Sequence, residues 1–248
     1  MSNLPPQTSP PNNPWQRKHS PKHPSTRGYR DFRNCLRLDF AFTCPFCLLH
    51  EADFSRIGLS EGTGQTGIEH FVPRSHDETQ AEIYENCFYC CRYCNGARSN
   101  KPIVSETGAR LLDPTKAIWS DYFVVSGDSL SPTTNPDAAY TEQSYDLNDQ
   151  RRVKLREKRR QLITEHVELL RDGPDRVSRL RKIAHQVTQD ATIVVDSIEK
   201  IEELMVKAQR ELDTYSSVPA DAPEKCRCES LPLFTDPYGE GTLFRSEG

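Results

Sequence analysis

The sequence predicts an α+β protein with a small cysteine-rich core, a C-terminal helical region and disordered tails. Three observations carry that prediction. Two C-x-x-C pairs lie between Cys44 and Cys94, in a region with few large apolar runs. The stretch "DYFVVSGDSL" alternates like two strands around a turn at Ser126-Gly127-Asp128. From Asp149 to Asp213 the chain is highly charged and holds one proline, Pro174.

Residues 1–33 are rich in Pro, Ser and Asn and carry six Lys/Arg against one acid. They read as a disordered basic arm, either solvated or touching phosphates. Residues 34–148 form the expected core domain, with the chemistry between 34 and about 102 and short strand-like pieces after it. "SPTTNPD" reads as a loop. Residues 149–213 form the helical region, which Pro174 in "DGPD" is expected to split into two helices. Its first part, 151–182, holds twelve Lys/Arg and five acids, so it fits a solvated surface or a track along nucleic acid. The later part carries Ile198, Ile201, Leu204, Met205, Ala208 and Leu212 at helical spacing. That stripe can pack on the chain's own basic helix or dock a partner. Residues 214–248 return to Pro, Ser and Gly and read as a flexible tail.

Composition narrows the function. Hydrophobic residues are 35% of 248, below the ~45–50% usual for a soluble domain, so a modest core is expected. A net charge of −4 gives no global basic footprint for nucleic acid. No apolar run approaches the ~20 residues of a membrane span, and the N-terminal stretch lacks an apolar signal core. A cytoplasmic protein without membrane partners is expected. In a reducing compartment, nine cysteines point to metal ligands or buried thiols rather than disulfides.

Cys44 and Cys47 in "CPFC" form one knuckle, whose two-residue gap lets both sulfurs face one ion. The second knuckle is ambiguous by counting, because "CFYCCRYC" offers both Cys87/Cys90 and Cys91/Cys94. Polar "NGARSN" follows Cys94 and suits a knuckle that opens a helix, which favours Cys91/Cys94. Cys87 and Cys90 alternate with aromatic residues and read as packing thiols. Four thiolates around structural Zn²⁺ would supply folding energy that a small core lacks. Between the knuckles, Glu69 and His70 place a carboxylate beside an imidazole, the pairing of a hard-metal ligand and a general base.

Taken together, "CPFC", "IEHFVPRS" and "YENCFYCCRYCNGARSNKP" resemble the HNH endonuclease family over residues 44–102. The resemblance implies a small zinc-stabilised ββα-metal nuclease core that hydrolyses phosphodiesters, most readily of DNA. It implies that His70 is the general base and that Asn86 braces the loop carrying it. It implies that Glu69 and Asn95 hold one catalytic Mg²⁺ or Mn²⁺, and that Cys44, Cys47, Cys91 and Cys94 hold the zinc, since Asn86 stands five residues before Cys91. Arg98 occupies the family's usual Lys position and Arg74 follows the proline; both are candidate phosphate contacts, with a solvated role open for Arg74. The Glu and the Arg depart from the commoner Asp and Lys and leave metal preference open. His76 reads as a loop residue.

Beyond the motif, Leu111-Leu112-Asp113-Pro114, Gly127 and Leu147-Asn148 resemble the HNH subunits of Septu-type anti-phage systems, including those encoded beside retrons. That implies an ATPase partner subunit. Two alternatives need less: a non-catalytic zinc-stabilised module that binds nucleic acid or protein, and an HNH nuclease acting on RNA or tRNA.

Overall fold

The computed structural model describes residues 13–19, 28–55, 66–186 and 191–216. Two compact units divide the chain, one running to Glu157 and the other from Lys158 to Pro219. The expected division at 148/149 thus moves inward, into a helix. Buried arginines cause the shift, as shown below. Of the expected arm 1–33 and tail 214–248, residues 1–12, 20–27 and 217–248 lie outside the described residues, whereas 28–33 and 214–216 are helical.

The first unit begins with a correction. Residues 13–19, expected to belong to a disordered arm, are packed. Trp15 is only 2% exposed and its backbone N–H donates to Pro114 O. Asp39 holds the rest of this strap: one carboxylate oxygen accepts from the N–H groups of Lys18 and His19 and from His19 Nδ1, at 2.9, 3.2 and 2.6 Å. The other accepts from the Tyr84 hydroxyl at 2.6 Å. Arg17 lies 4.5 Å over the Phe88 ring, where burial of its stem and a cation–π contact replace solvation.

A 3₁₀ turn, Gly28–Phe32, leads into helix α1, Arg33–Asp39. The short helix α2, Glu51–Ser55, is tied to α1 by a two-pronged Arg37–Glu51 pair at 2.9 and 2.8 Å. Tyr89 donates its hydroxyl to the same Glu51. Strands β1, Thr66–His70, and β2, Cys87–Cys91, pair antiparallel, with Thr66 opposite Cys91 and His70 opposite Cys87. Every residue of β2 is buried, which explains why "CFYCC" lacks the alternation of a half-exposed strand. Helix α3, Arg92–Arg98, follows without a loop, and Cys91 is its N-cap.

After a one-turn helix α4, Trp119–Tyr122, strands β3, Phe123–Ser126, and β4, Ser129–Pro132, form the expected hairpin. Gly127 at φ 63° supplies the left-handed turn position. The "TTNPD" end of the expected loop instead opens helix α5, Pro136–Tyr145. Asn135 caps it by accepting from Asp137 N at 2.8 Å, and Pro136 occupies the first turn, where it sacrifices no hydrogen bond.

Helix α6, Gln150–Ala184, continues through Pro174, so the expected break is absent there. An internal proline costs about 3 kcal/mol, and packing in the second unit offsets it. Helix α7, Ala191–Ser216, approaches so closely that a Cβ on Gly173 would lie 3.1 Å from Met205 Cγ. His166–Glu211 and Arg181–Glu202, at 3.0 and 2.7 Å, link the two helices. Ile198, Ala208 and Leu212, half of the apolar stripe, are buried here, while Leu204 is exposed.

Because Asp39 collects four hydrogen bonds, its loss strands several buried donors. Asp39→Ala is expected to cost about 2–4 kcal/mol in chemical denaturation and to open Trp15 to fluorescence quenchers. Unchanged stability would show that the strap is not held this way.

Candidate metal centre and active site

The "CPFC" knuckle folds as a tight turn. Leu48 N donates to Cys44 O and Cys44 N to Leu49 O, at 2.8 and 2.9 Å, and Leu48 takes a positive φ of 62°. At the other end, the helix cap aims Cys91 Sγ at the Cys94 N–H, 3.4 Å away. The two knuckles meet: the sulfurs of Cys44, Cys47, Cys91 and Cys94 all lie within 4.8 Å of one another, fully buried. Cys47 and Cys91 are 3.6 Å apart. Tetrahedral Zn–S bonds of ~2.3 Å require sulfur–sulfur separations of about 3.8 Å, so the cluster can hold a structural metal such as zinc.

The charges fit as well. Burial works to raise the Cys44 thiol, yet hydrogen bonds from its neighbours pull it well below its usual range. Burial and the same neighbours push Cys91 and Cys94 well up. A central cation is what would allow all four to be thiolates together. Cys87 and Cys90 stand outside the set, buried, as packing thiols should be.

Two arginines brace this centre, and sequence reading assigned both to a solvated or nucleic-acid-binding stretch. Arg152 Nη1 lies 3.8 Å from Cys94 Sγ and donates to the carbonyls of Tyr145 and Asp146, the open end of α5. Arg156 donates to Cys47 O, Asp128 O and Leu147 O at 3.3, 2.6 and 3.0 Å. Both are nearly inaccessible, which accounts for the unit boundary falling beyond them.

β1 carries Glu69 and His70 in succession, so their side chains leave opposite faces. His70 is half-buried, and its Nε2 lies 3.0 Å from Ala81 O. A carbonyl can only accept, so Nε2 carries the proton and the neutral ring presents Nδ1 as an acceptor. Burial lowers the His70 pKa, and the Arg74 charge adds to this against the hydrogen bond to Ala81.

Asn86 pins the loop between the strands. Its Oδ1 accepts from Val72 N at 2.7 Å, and its Nδ2 donates to Val72 O and Gln80 O at 3.1 and 3.0 Å. Phe71 N donates to Asn86 O at 2.9 Å. One amide thereby sets both the exit from His70 and the approach to Ala81.

Glu69 is 3% exposed, and its carboxyl is pushed up to about 8 by burial, against the opposing charge of Arg98. Arg98 Nε is 3.9 Å away. Asn95, in the first turn of α3, donates Nδ2 to Ile68 O at 3.4 Å, which leaves Oδ1 for another partner. The structure does not bring Glu69 and Asn95 into direct contact.

Arg98 corrects an expectation. It is fully buried and donates to Phe71 O at 3.0 Å and to Lys101 O, so it ties α3 to the strand exit and cannot reach a phosphate. Arg74 is exposed, with Nη1 3.4 Å from the Tyr29 hydroxyl. His76 is an exposed loop residue, as expected.

No family model, curated protein or solved structure matches this chain. Among the described residues, no helix is long and apolar enough to cross a membrane.

Purified protein is expected to contain about one zinc per chain by elemental analysis, lost in Cys44→Ser and retained in Cys87→Ser. Equal loss in both would show the wrong set of four. The Cys87 thiol is pushed up to about 12, chiefly by burial. In the folded protein it should therefore resist iodoacetamide at pH 8 and react once the chain is unfolded, as read by peptide mass spectrometry.

Proposed function

We propose that this chain is a metal-dependent endonuclease of the HNH type. The observation that carries the reading is His70: a half-buried imidazole with Nε2 committed to a backbone carbonyl, so that Nδ1 is a ready base for a water proton. It stands on a hairpin that runs directly into a helix, with the metal-binding knuckles at the base of that hairpin.

Each residue then has a task. Nδ1 of His70 takes the proton from the attacking water. Asn86 holds the two loop ends that fix His70 and Ala81. Arg74, exposed beside His70, supplies positive charge for a phosphate oxygen. The donors that would hold a divalent ion are the Glu69 carboxylate and Asn95 Oδ1, both hard oxygen ligands suited to Mg²⁺ or Mn²⁺. A buried carboxyl with a raised pKa and an amide oxygen left over by its own Nδ2 bond are consistent with that use. Such an ion supplies charge stabilisation at the phosphate and leaving oxygen. The substrate favoured is DNA, on sequence resemblance alone.

The likeness to anti-phage subunits, and the ATPase partner it implies, remain part of the proposal. The residues that carry it have structural work of their own. Asn148 clasps Leu130 through N–H and carbonyl at 2.8 and 3.0 Å, and Asp113 accepts from Thr115 N at 2.9 Å. They speak for a shared domain rather than for a partner surface.

The test is plasmid cleavage with Mg²⁺ or Mn²⁺. His70→Ala should lower the rate about 10²–10⁴-fold, the usual worth of a general base, with metal content unchanged. Cleavage at the wild-type rate would leave a non-catalytic metal-stabilised module as the better reading. A rate on RNA far above that on DNA would reassign the substrate.

A further inference from the structure

We propose that Tyr29, outside the motif region, is a positioning residue of this site, whose ring fixes the plane of the His70 imidazole. The inference rests on the nuclease reading above. A single hydrogen bond from Nε2 to Ala81 O fixes the tip of the His70 ring, but it leaves the ring free to swivel about that tether. Swivelling would sweep Nδ1 away from a bound water. A second, non-polar restraint is needed to stop it.

Tyr29 is placed to give that restraint. Its ring meets His70 edge-to-face, with centroids 4.6 Å apart and planes at 76°. This is the geometry that aromatic quadrupoles favour. Arg74 holds Tyr29 in turn: its guanidinium carbon is 5.6 Å from the ring centre and Nη1 is 3.4 Å from the hydroxyl oxygen. His70, Tyr29 and Arg74 thus form one chain of contacts at the surface beside the loop.

The turn carrying Tyr29 is anchored on both sides of the contact. Gly28 enters it at φ 62°, and a Cβ there would fall 2.6 Å from Glu82 Oε1. Three residues on, Phe32 is fully buried and edge-on to Tyr84 at 5.0 Å. Arg33 then donates to Thr66 O and Thr66 Oγ1 at 2.8 and 2.7 Å, locking the turn to the first residue of β1. The same strand carries His70 at its other end. The stretch before the first knuckle therefore forms a wall of the site.

The test compares Tyr29→Phe, which keeps the ring, with Tyr29→Leu, which removes it, in the full chain with Mn²⁺. Tyr29→Leu should lower kcat about ten- to a hundredfold with KM within about threefold, since misplacement of a reacting group acts on turnover. Tyr29→Phe should stay within about threefold of wild type. Zinc content serves as the fold check for both. A second readout does not depend on activity: the His70 ring-proton resonances should lose their ring-current shift in Tyr29→Leu and keep it in Tyr29→Phe. Wild-type kcat in Tyr29→Leu, or equal losses in both variants, overturns the positioning role while the nuclease reading stands. Cleavage that survives His70→Ala sinks the nuclease reading and the role together, and unmoved resonances in Tyr29→Leu sink the contact itself.

Discussion

Four cysteine sulfurs within 4.8 Å of one another are the constraint on which the first unit depends. They come from two places with 43 residues between them, the turn after α1 and the junction of β2 with α3. Closing that separation costs chain entropy that a chain with 35% hydrophobic residues is poorly equipped to meet. A metal held by the four sulfurs would offset it and would fix two things at once. It would set the start of α3, because Cys91 is both a member of the cluster and the N-cap, and it would set the level of β2, which pairs in the register that puts His70 opposite Cys87.

That constraint explains the buried arginines. A four-thiolate site is strongly negative, and a buried negative centre needs compensation. Arg152 supplies it from outside the ligand set, near Cys94, while its other contacts close the end of α5. Arg156 does the same for the Cys47 turn. The start of α6 is thereby drawn into the first unit, and the guanidinium groups of Arg152 and Arg156 are spent on protein carbonyls and sulfur.

The parts legible in the sequence are those written in local spacing. The choice of Cys91 and Cys94, the packing role of Cys87, the Gly127 hairpin and the long helices all follow from residues within a few positions of one another. The failures are non-local. Nothing in "NPWQRKH" announces that Arg17 and His19 pack, because their aromatic and acidic partners, Phe88 and Asp39, lie elsewhere in the chain. Pro174 reads as a helix end until α7 is known to pack against Gly173. Asn135-Pro136-Asp137 was an exception: its cap and first-turn proline were readable locally, and the reading as a loop overlooked them. Of the candidate site, Glu69, His70, Asn86 and Asn95 are named through the motif, whereas Tyr29 lies outside it. Arg98 was misassigned, because a positive charge beside a candidate active site invites a ligand role, and only its burial shows it bracing the backbone.

Adjacent residues on a strand serve opposite sides, and this is what makes the Glu69-His70 pair economical. His70 takes the other side, half-buried, and its ring is hydrogen-bonded to a loop carbonyl. Glu69 takes the inner side, where burial raises its carboxyl to about 8 and Arg98, 3.9 Å away, stabilises the ionised form only in part. A carboxyl so poised stays largely protonated at neutral pH until a closer cation arrives. On the proposed function, the state of the inner face would be coupled to ion binding, whereas Asn86 and Tyr29 would set the outer face without an ion. Ion affinity and base orientation would then be governed by different residues, and substitutions would separate them.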